Sequence, residues 1–219
     1  MEKQETAPRN YALEYDDSWS RYDLVVKLFQ LGRDKAHRMR ALRLAGLKKG
    51  DTVLDVCCGS GLSFRAVQRI IGPEGHIIAV DGNDHMLALA EKRAMRHGWN
   101  NISFISSDIA KLQLDDRVDF ALFALCWYDR EICSGWVKHI AQFLRPGGRF
   151  CFIDYKLPEN GLRFVVTPLI SVLLKWLGEA YTLDDLKWQP REEIGSLLKD
   201  PKYLAYYLDC IVTVSGGAL

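Results

Sequence analysis

Three carboxylates, with a small-residue turn between the first two, carry the chemistry open to this sequence. Asp55 lies in VLDVCCGSGLSF, residues 53–64, Asp81 ends HIIAVD, and Asp108 follows ISFISS. Each acid stands where a short apolar run closes. A carboxylate there can accept hydrogen bonds from ligand hydroxyls, amines or ammonium groups. Between the first two, Gly59 and Gly61 allow a tight turn from strand into helix, where backbone amides come close to a ligand. One acid at a strand end says little; three at successive strand ends, with such a turn among them, point to a ligand that carries a nucleoside.

The turn also discriminates among nucleotides. A dinucleotide fingerprint has a third glycine three residues after the second, which seats a pyrophosphate at the helix N-terminus. That position is Phe64, so the turn suits a ligand without a pyrophosphate and speaks against a nicotinamide oxidoreductase. Asp81, twenty residues beyond Gly61, suits the two hydroxyls of a ribose, and Asp108 an adenine amino group.

These residues need a parallel sheet to bring them to one edge, and the apolar patterning predicts one. Strands are expected over residues 52–56, 76–80, 102–105, 118–125 and 149–155. Helices are expected over 62–71, from Asn83 or Asp84 to His97, and over 130–144. Strand, helix, strand units with short connections predict a doubly wound α/β fold, a Rossmann-like, mostly parallel sheet with helices on both faces. In such sheets ligands bind at the carboxyl ends of the strands. Trp127, Tyr128 and Asp129 fall just beyond the fourth strand, and Asp154 and Tyr155 end the fifth. Both groups are candidates to face the reacting centre.

The flanks read differently. Residues 11–31 are amphipathic and aromatic, with Tyr15, Trp19 and Tyr22, and residues 33–45 form a second helix stopped by Gly46; together they predict a helical cap over residues 1–50. Arg33, Lys35, Arg38, Arg40, Arg43, Lys48 and Lys49 are expected on a solvated helix face, with His37 among them, or else against an anionic lipid surface. Residues 157–178 are apolar but interrupted by Pro168, which predicts a buried or lid-forming helix pair within a lid-like insertion over 156–190. Residues 190–198 predict a helix, and 203–214 one long strand or a strand pair at an antiparallel C-terminal edge. The whole is expected to be one domain, with its binding core at 51–155.

Composition limits the partners. There are 29 Lys and Arg against 28 Asp and Glu, a net charge of +1, which gives no argument for nucleic acid binding. The six cysteines show no metal-ligand spacing, so no metal is expected. They read as reduced thiols, and the polar first ten residues show no secretory signal, so a cytoplasmic location is expected.

The motifs "VLDVCCGSG", "AVDGNDHML", "SSDIAKL" and "LRPGGRF" resemble those of class I S-adenosylmethionine-dependent methyltransferases, and the resemblance extends over residues 11–214. It implies S-adenosyl-L-methionine as cofactor and S-adenosyl-L-homocysteine as product. It also implies that Asp55, Cys57, Gly59 and Gly61 shape the methionine end of the pocket. Asp81 with Gly82 would bind the ribose, Asp108 and Ile109 the adenine, and Tyr22 and Leu125 would complete the cofactor site. Tyr15, Trp127 and Tyr128 become candidate acceptor contacts, and Asp129, Asp154 and Tyr155 candidate bases. Cys57 departs from the family's usual first glycine; the cysteine pair is similar to a variant among ubiquinone and menaquinone C-methyltransferases. "SRYDLVVKLFQLGRDK" is similar to the N-terminal aromatic helices of quinone methyltransferases and of phospholipid and betaine-lipid N-methyltransferases, and "WQPREEIGSLL" with "YYLDCIVTVSGG" to the ending of the latter group, which implies a small lipophilic or lipid-like acceptor and peripheral contact with a membrane. A cofactor-binding protein without transferase activity, serving as a sensor or partner subunit, is the competing reading.

Overall fold

Runs of Val, Ile, Leu and Phe bounded by Gly, Asp and Asn become strands because branched and aromatic side chains pack well on a pleated surface covered on both sides. The computed structural model describes residues 33–126, 130–168, 172, 194–206 and 210–219. In chain order they form α1 (Asp34–Leu44), β1 (Thr52–Val56), α2 (Phe64–Ile71), β2 (His76–Asp81), α3 (Asp84–His97) and β3 (Ile102–Ser106). After a 3₁₀ turn at Ile109–Lys111 come β4 (Val118–Ala124), α4 (Arg130–Ala141), β5 (Leu144–Tyr155), β6 (Leu198–Tyr206) and β7 (Ile211–Ala218). The seven strands form one sheet in the order β3-β2-β1-β4-β5-β7-β6. The first five are parallel, and β7 runs antiparallel between β5 and β6.

Two apolar layers hold the helices to the sheet. On one face Ala41, Leu42, Phe64, Val67, Ile71, Leu87 and Ala90 of α1, α2 and α3 pack against Val53, Ile77 and Leu122. On the other, Val137 and Ile140 of α4 pack against Leu54, Val80, Ala121 and Phe152. The chain order reverses between β1 and β4, so the turn after β1 opens at a switch point of the sheet, where ligands of such folds bind.

The elements follow the sequence expectations except at their ends. Asn83 caps α3, its Oδ1 accepting from the amides of His85 at 2.9 Å and Met86 at 3.2 Å, and Gly98 closes that helix. Arg145-Pro146-Gly147-Gly148, expected as a break before the fifth strand, lies inside β5 as an irregularity opposite Val118–Phe120. The helix expected over 190–198 ends earlier, because residues 194–196 are helical and Leu198 already begins β6. The C-terminal edge is a strand pair, β7 and β6. Of the segment expected as a buried or lid-forming pair, residues 163–168 are helical, with Phe164 85% and Val165 70% exposed; among its described residues Val166 alone of these three is buried. No helix among the described residues is long and apolar enough to cross a membrane.

Candidate active site

Strand β1 leaves the sheet through backbone that L residues rarely adopt. Cys57 has φ 53°, Gly59 55° and Gly61 75°. The left-handed conformation is free for glycine but costs a side-chain-bearing residue about 1–2 kcal/mol, which explains why glycine is usual where this chain has Cys57. Hydrogen bonds hold the turn in place. The Cys58 amide donates to the Val80 carbonyl at 3.0 Å and the Gly59 amide to Asp81 Oδ2 at 2.8 Å. Gly61 is needed for a second reason, since a Cβ there would lie 2.5 Å from Phe64 Cε2. Phe64 is fully buried and meets Phe104 edge-on at 6.1 Å. Its ring fills the space that a third glycine would leave open.

Asp55 is 1% exposed, and its Oδ2 has no hydrogen-bond partner among the described residues. Burial pushes its pKa up to about 7, against the opposing pull of the Arg38 guanidinium and with the Asp81 charge adding to the rise. An orphaned buried oxygen is costly in a folded protein and is expected where a ligand brings the missing donor. Asp81 is also raised by burial, and the amides of Gly59, Asn83 and Gly82 hold the rise back. Its Oδ1 accepts from the Asn83 amide at 3.0 Å, so the acid ties the turn to the end of β2.

Asp108 is exposed, and its Oδ1 accepts from the Ala110 amide at 2.9 Å, capping the 3₁₀ turn. The Ser107 amide donates to the Asp81 carbonyl at 3.1 Å, which draws the ends of β2 and β3 together. Ile109 is 3% exposed and packs in the core on the α4 side. Leu125 has φ 59°, and its amide donates to the Ile153 carbonyl at 2.8 Å. With Arg38, Ile153, Tyr155 and Ile211 it lines a small cavity. Asp154 ends β5 half-buried, its Oδ1 accepting from the Tyr155 amide at 2.7 Å, and burial of the carboxyl raises its pKa to about 7. The structure thus gathers Asp55, Cys57, Gly59, Gly61, Asp81 and Gly82 at one turn, with Asp108, Leu125, Asp154 and Tyr155 at the ends of neighbouring strands. Tyr15, Tyr22, Trp127, Tyr128 and Asp129 lie outside the described residues.

Arg38 is the residue that sequence reading placed wrongly. It is 3% exposed and belongs to no solvated face: its Nε donates to Asp34 Oδ1 at 2.9 Å and its Nη1 to Ser63 Oγ at 2.8 Å. His37 is likewise turned inward, its ring 5.3 Å from that of Tyr206. The signal was the i, i+4 spacing of Asp34 and Arg38, which reads equally well as an exposed pair.

The donor set suits a sulfonium nucleoside. Asp55 offers a buried acceptor for an ammonium group, the turn offers amides without a pyrophosphate seat, and Asp81 and Asp108 stand at successive strand ends. Comparison with known proteins agrees. Residues 11–179 match the model of the ubiE/COQ5 methyltransferase family. The chain is 26% identical over 186 residues to the ubiquinone/menaquinone biosynthesis C-methyltransferase UbiE of Pseudomonas putida strain KT2440, covering 80% of this chain and 73% of the relative. It is 24% identical over 192 residues to UbiE of Hahella chejuensis, covering 82% and 77%. In fold it is similar to a SAM-dependent methyltransferase from Aquifex aeolicus, with TM-score 0.59, 20% identity and coverage of 92% and 98%. It is also similar to the mitomycin 7-O-methyltransferase MmcR, with TM-score 0.66, 16% identity and coverage of 93% and 59%. The chain belongs to the ubiE/COQ5 methyltransferase family and is an S-adenosylmethionine-dependent methyltransferase.

Proposed function

We propose that the acceptor is a ring carbon of a quinol that carries a lipophilic tail. The observation that carries this reading is Asp154, a carboxyl at the end of β5 whose burial raises its pKa to about 7, placed in the chain between Ile153 and Tyr155, which line a small cavity with Leu125. A phenolic ring is methylated at carbon only as its hydroxyl gives up a proton, and a carboxylate that ionises near neutral pH is suited to take it. The names of the relatives, ubiquinone/menaquinone biosynthesis C-methyltransferases, support the same acceptor class.

S-adenosylmethionine supplies, when bound, a methyl group on a sulfonium that is already a good leaving group. The chain's own work is alignment and exclusion of water, which in well-oriented cases is worth about 7–11 kcal/mol. Asp55 accepts from the ammonium end, Asp81 and Gly82 hold the ribose, and Asp108 and Ile109 the adenine edge. Cys57, Gly59, Gly61, Leu125 and Tyr22 shape the walls. Asp154 takes the proton of the phenolic hydroxyl as the ring carbon attacks, with Tyr155 and Asp129 as the alternatives to test; the proton on the methylated ring carbon is then lost to water as the ring regains aromaticity, and Tyr15, Trp127 and Tyr128 contact the ring. Residues 1–50 cap the site, and residues 156–190 act as its lid. The exposed Phe164 and Val165 on that lid suit an acceptor drawn from a membrane.

Incubation of the protein with methyl-labelled cofactor and a demethylated, short-tailed quinol tests the reading. Label on a ring carbon, located by fragmentation in the mass spectrometer, is the expected result, with Asp154→Asn much slower and its affinity for S-adenosylhomocysteine unchanged. Label on a phospholipid headgroup amine in lipid extract, with none on the quinol, would give the acceptor to the other lipid class.

A further inference from the structure

Charge on this molecule is unevenly placed. The three helices that cover one face of the sheet hold nine cations, Lys35, Arg38, Arg40, Arg43, Arg65, Arg69, Lys92, Arg93 and Arg96, against three acids, Asp34, Asp84 and Glu91. That is an excess of six in a chain whose net charge is +1. One of the three acids, Asp34, is spent on the buried Arg38. Among the described residues no carboxylate pairs with Arg65 or Arg69, which stand one helical turn apart and exposed on α2. Partial burial, together with the Arg69 and Arg65 guanidiniums, lowers the Lys35 pKa, so the cluster reaches from α2 to the first turn of α1. Like charges gathered without counter-charges oppose folding, and a partner with the opposite charge relieves that.

Beside the cluster lies a groove between α2 and the end of α3, lined by Arg65, Arg69, His97, Trp99 and Asn101 and by no carboxylate. Its floor is fixed: Gln68 Nε2 donates to Asn101 Oδ1 at 2.7 Å, and Asn101 Nδ2 to the Gly75 carbonyl at 2.7 Å. On the last turns of α3 Met95 is 76% exposed, beside the exposed Arg96. We propose that this face docks on an anionic lipid bilayer, with lipid phosphates at Arg65 and Arg69 and Met95 among the headgroups. Basic residues interleaved with apolar ones bind such surfaces by charge attraction and shallow burial. A single-stranded nucleic acid would instead look for open aromatic faces on which to stack its bases, and the aromatic pair in the groove is stacked on itself, His97 on Trp99 at 4.5 Å. The choice of a bilayer over another polyanion rests on the lipophilic-acceptor reading above.

Sedimentation of the full chain with phosphatidylcholine vesicles, with and without about 30% phosphatidylglycerol, in low and high salt, tests the proposal. Binding is expected only with the anionic lipid and only in low salt. Each arginine contributes enough that Arg65→Glu/Arg69→Glu lowers partitioning at least about thirtyfold, and Met95→Ser lowers it less. Equal binding to both vesicle types, or equal binding by the double variant and the parent, overturns the proposal. So does an RNA that binds the parent and not the variant when neither binds vesicles. Should the double reversal unfold the chain, Arg65→Gln/Arg69→Gln must show a loss of about thirtyfold. Affinity for S-adenosylhomocysteine and turnover of a water-soluble quinol are read in the same variants. Both stay at parent level if docking alone is lost, whereas a parent chain that binds vesicles yet leaves the quinol unmethylated counts against the acceptor and leaves the docking result standing.

Discussion

Asp81 has two tasks that a single substitution separates. Its Oδ2 fastens the Gly59 amide and its Oδ1 the Asn83 amide, yet an ionised carboxylate has further lone pairs for a ligand. Asp81→Asn keeps the shape and one acceptor but removes the charge. Calorimetric titration with S-adenosylhomocysteine should show a loss of about 1.5–3 kcal/mol, the range for a hydrogen bond to a charged group. Unchanged affinity would remove Asp81 from the cofactor site and leave it a purely structural tie. At the same scale, Phe64 shows how a missing residue can inform: its buried ring both replaces the third glycine and excludes any side chain at Gly61.

Helix α1 is a wall of the site as well as a cover for the sheet. Arg38 binds Asp34 and, across the helix interface, Ser63 at the foot of α2, and its guanidinium acts on Asp55. The groups that bear on Asp55 are Arg38 from α1 and Asp81 from β2, and the Asp55 charge in turn helps to raise the buried Cys58 and Cys126 thiols. A protonated Asp55 is a poor partner for an ammonium group, so affinity for S-adenosylhomocysteine should rise with pH through about 7, where Asp55 loses its proton. Arg38→Met removes the one cation among the described residues that favours ionisation, and the inflection should move upward; Arg38→Lys should restore most of it. A weaker but pH-parallel profile in Arg38→Met would reduce the residue to packing.

For the whole molecule the two buried carboxyls set a pH dependence of opposite sense to that of paired surface acids. Asp55 and Asp154 have ordinary values of 3.8 and folded values of about 7. Between those values the folded chain holds protons that the unfolded chain has released, so stability falls as pH rises from about 4 to about 7 and levels off above. Urea midpoints at several pH values should show this decline in the ligand-free protein. It should be much reduced in Asp55→Asn/Asp154→Asn, whose amides cannot ionise, and an identical slope in that double variant would refute the assignment.

The sequence by itself determined the strands, the glycine turn, the acids at strand ends and the absence of a pyrophosphate seat. These are local: hydrophobic period, turn chemistry and one misplaced aromatic are written in neighbouring residues, which is why β1, β2, β3 and the capped α3 fall where expected. Tertiary structure decided what depends on residues far apart in the chain. It buried Arg38 beside Ser63, 25 positions away, left Asp55 Oδ2 without a partner, and raised Asp154 by desolvation. It also inserted β7 between β5 and β6 and laid the cations of three helices on one face. Spacing along a helix cannot say which side meets a neighbour, and burial, which sets both pKa and orphaned polar groups, exists only once the sheet and its helices have closed on one another.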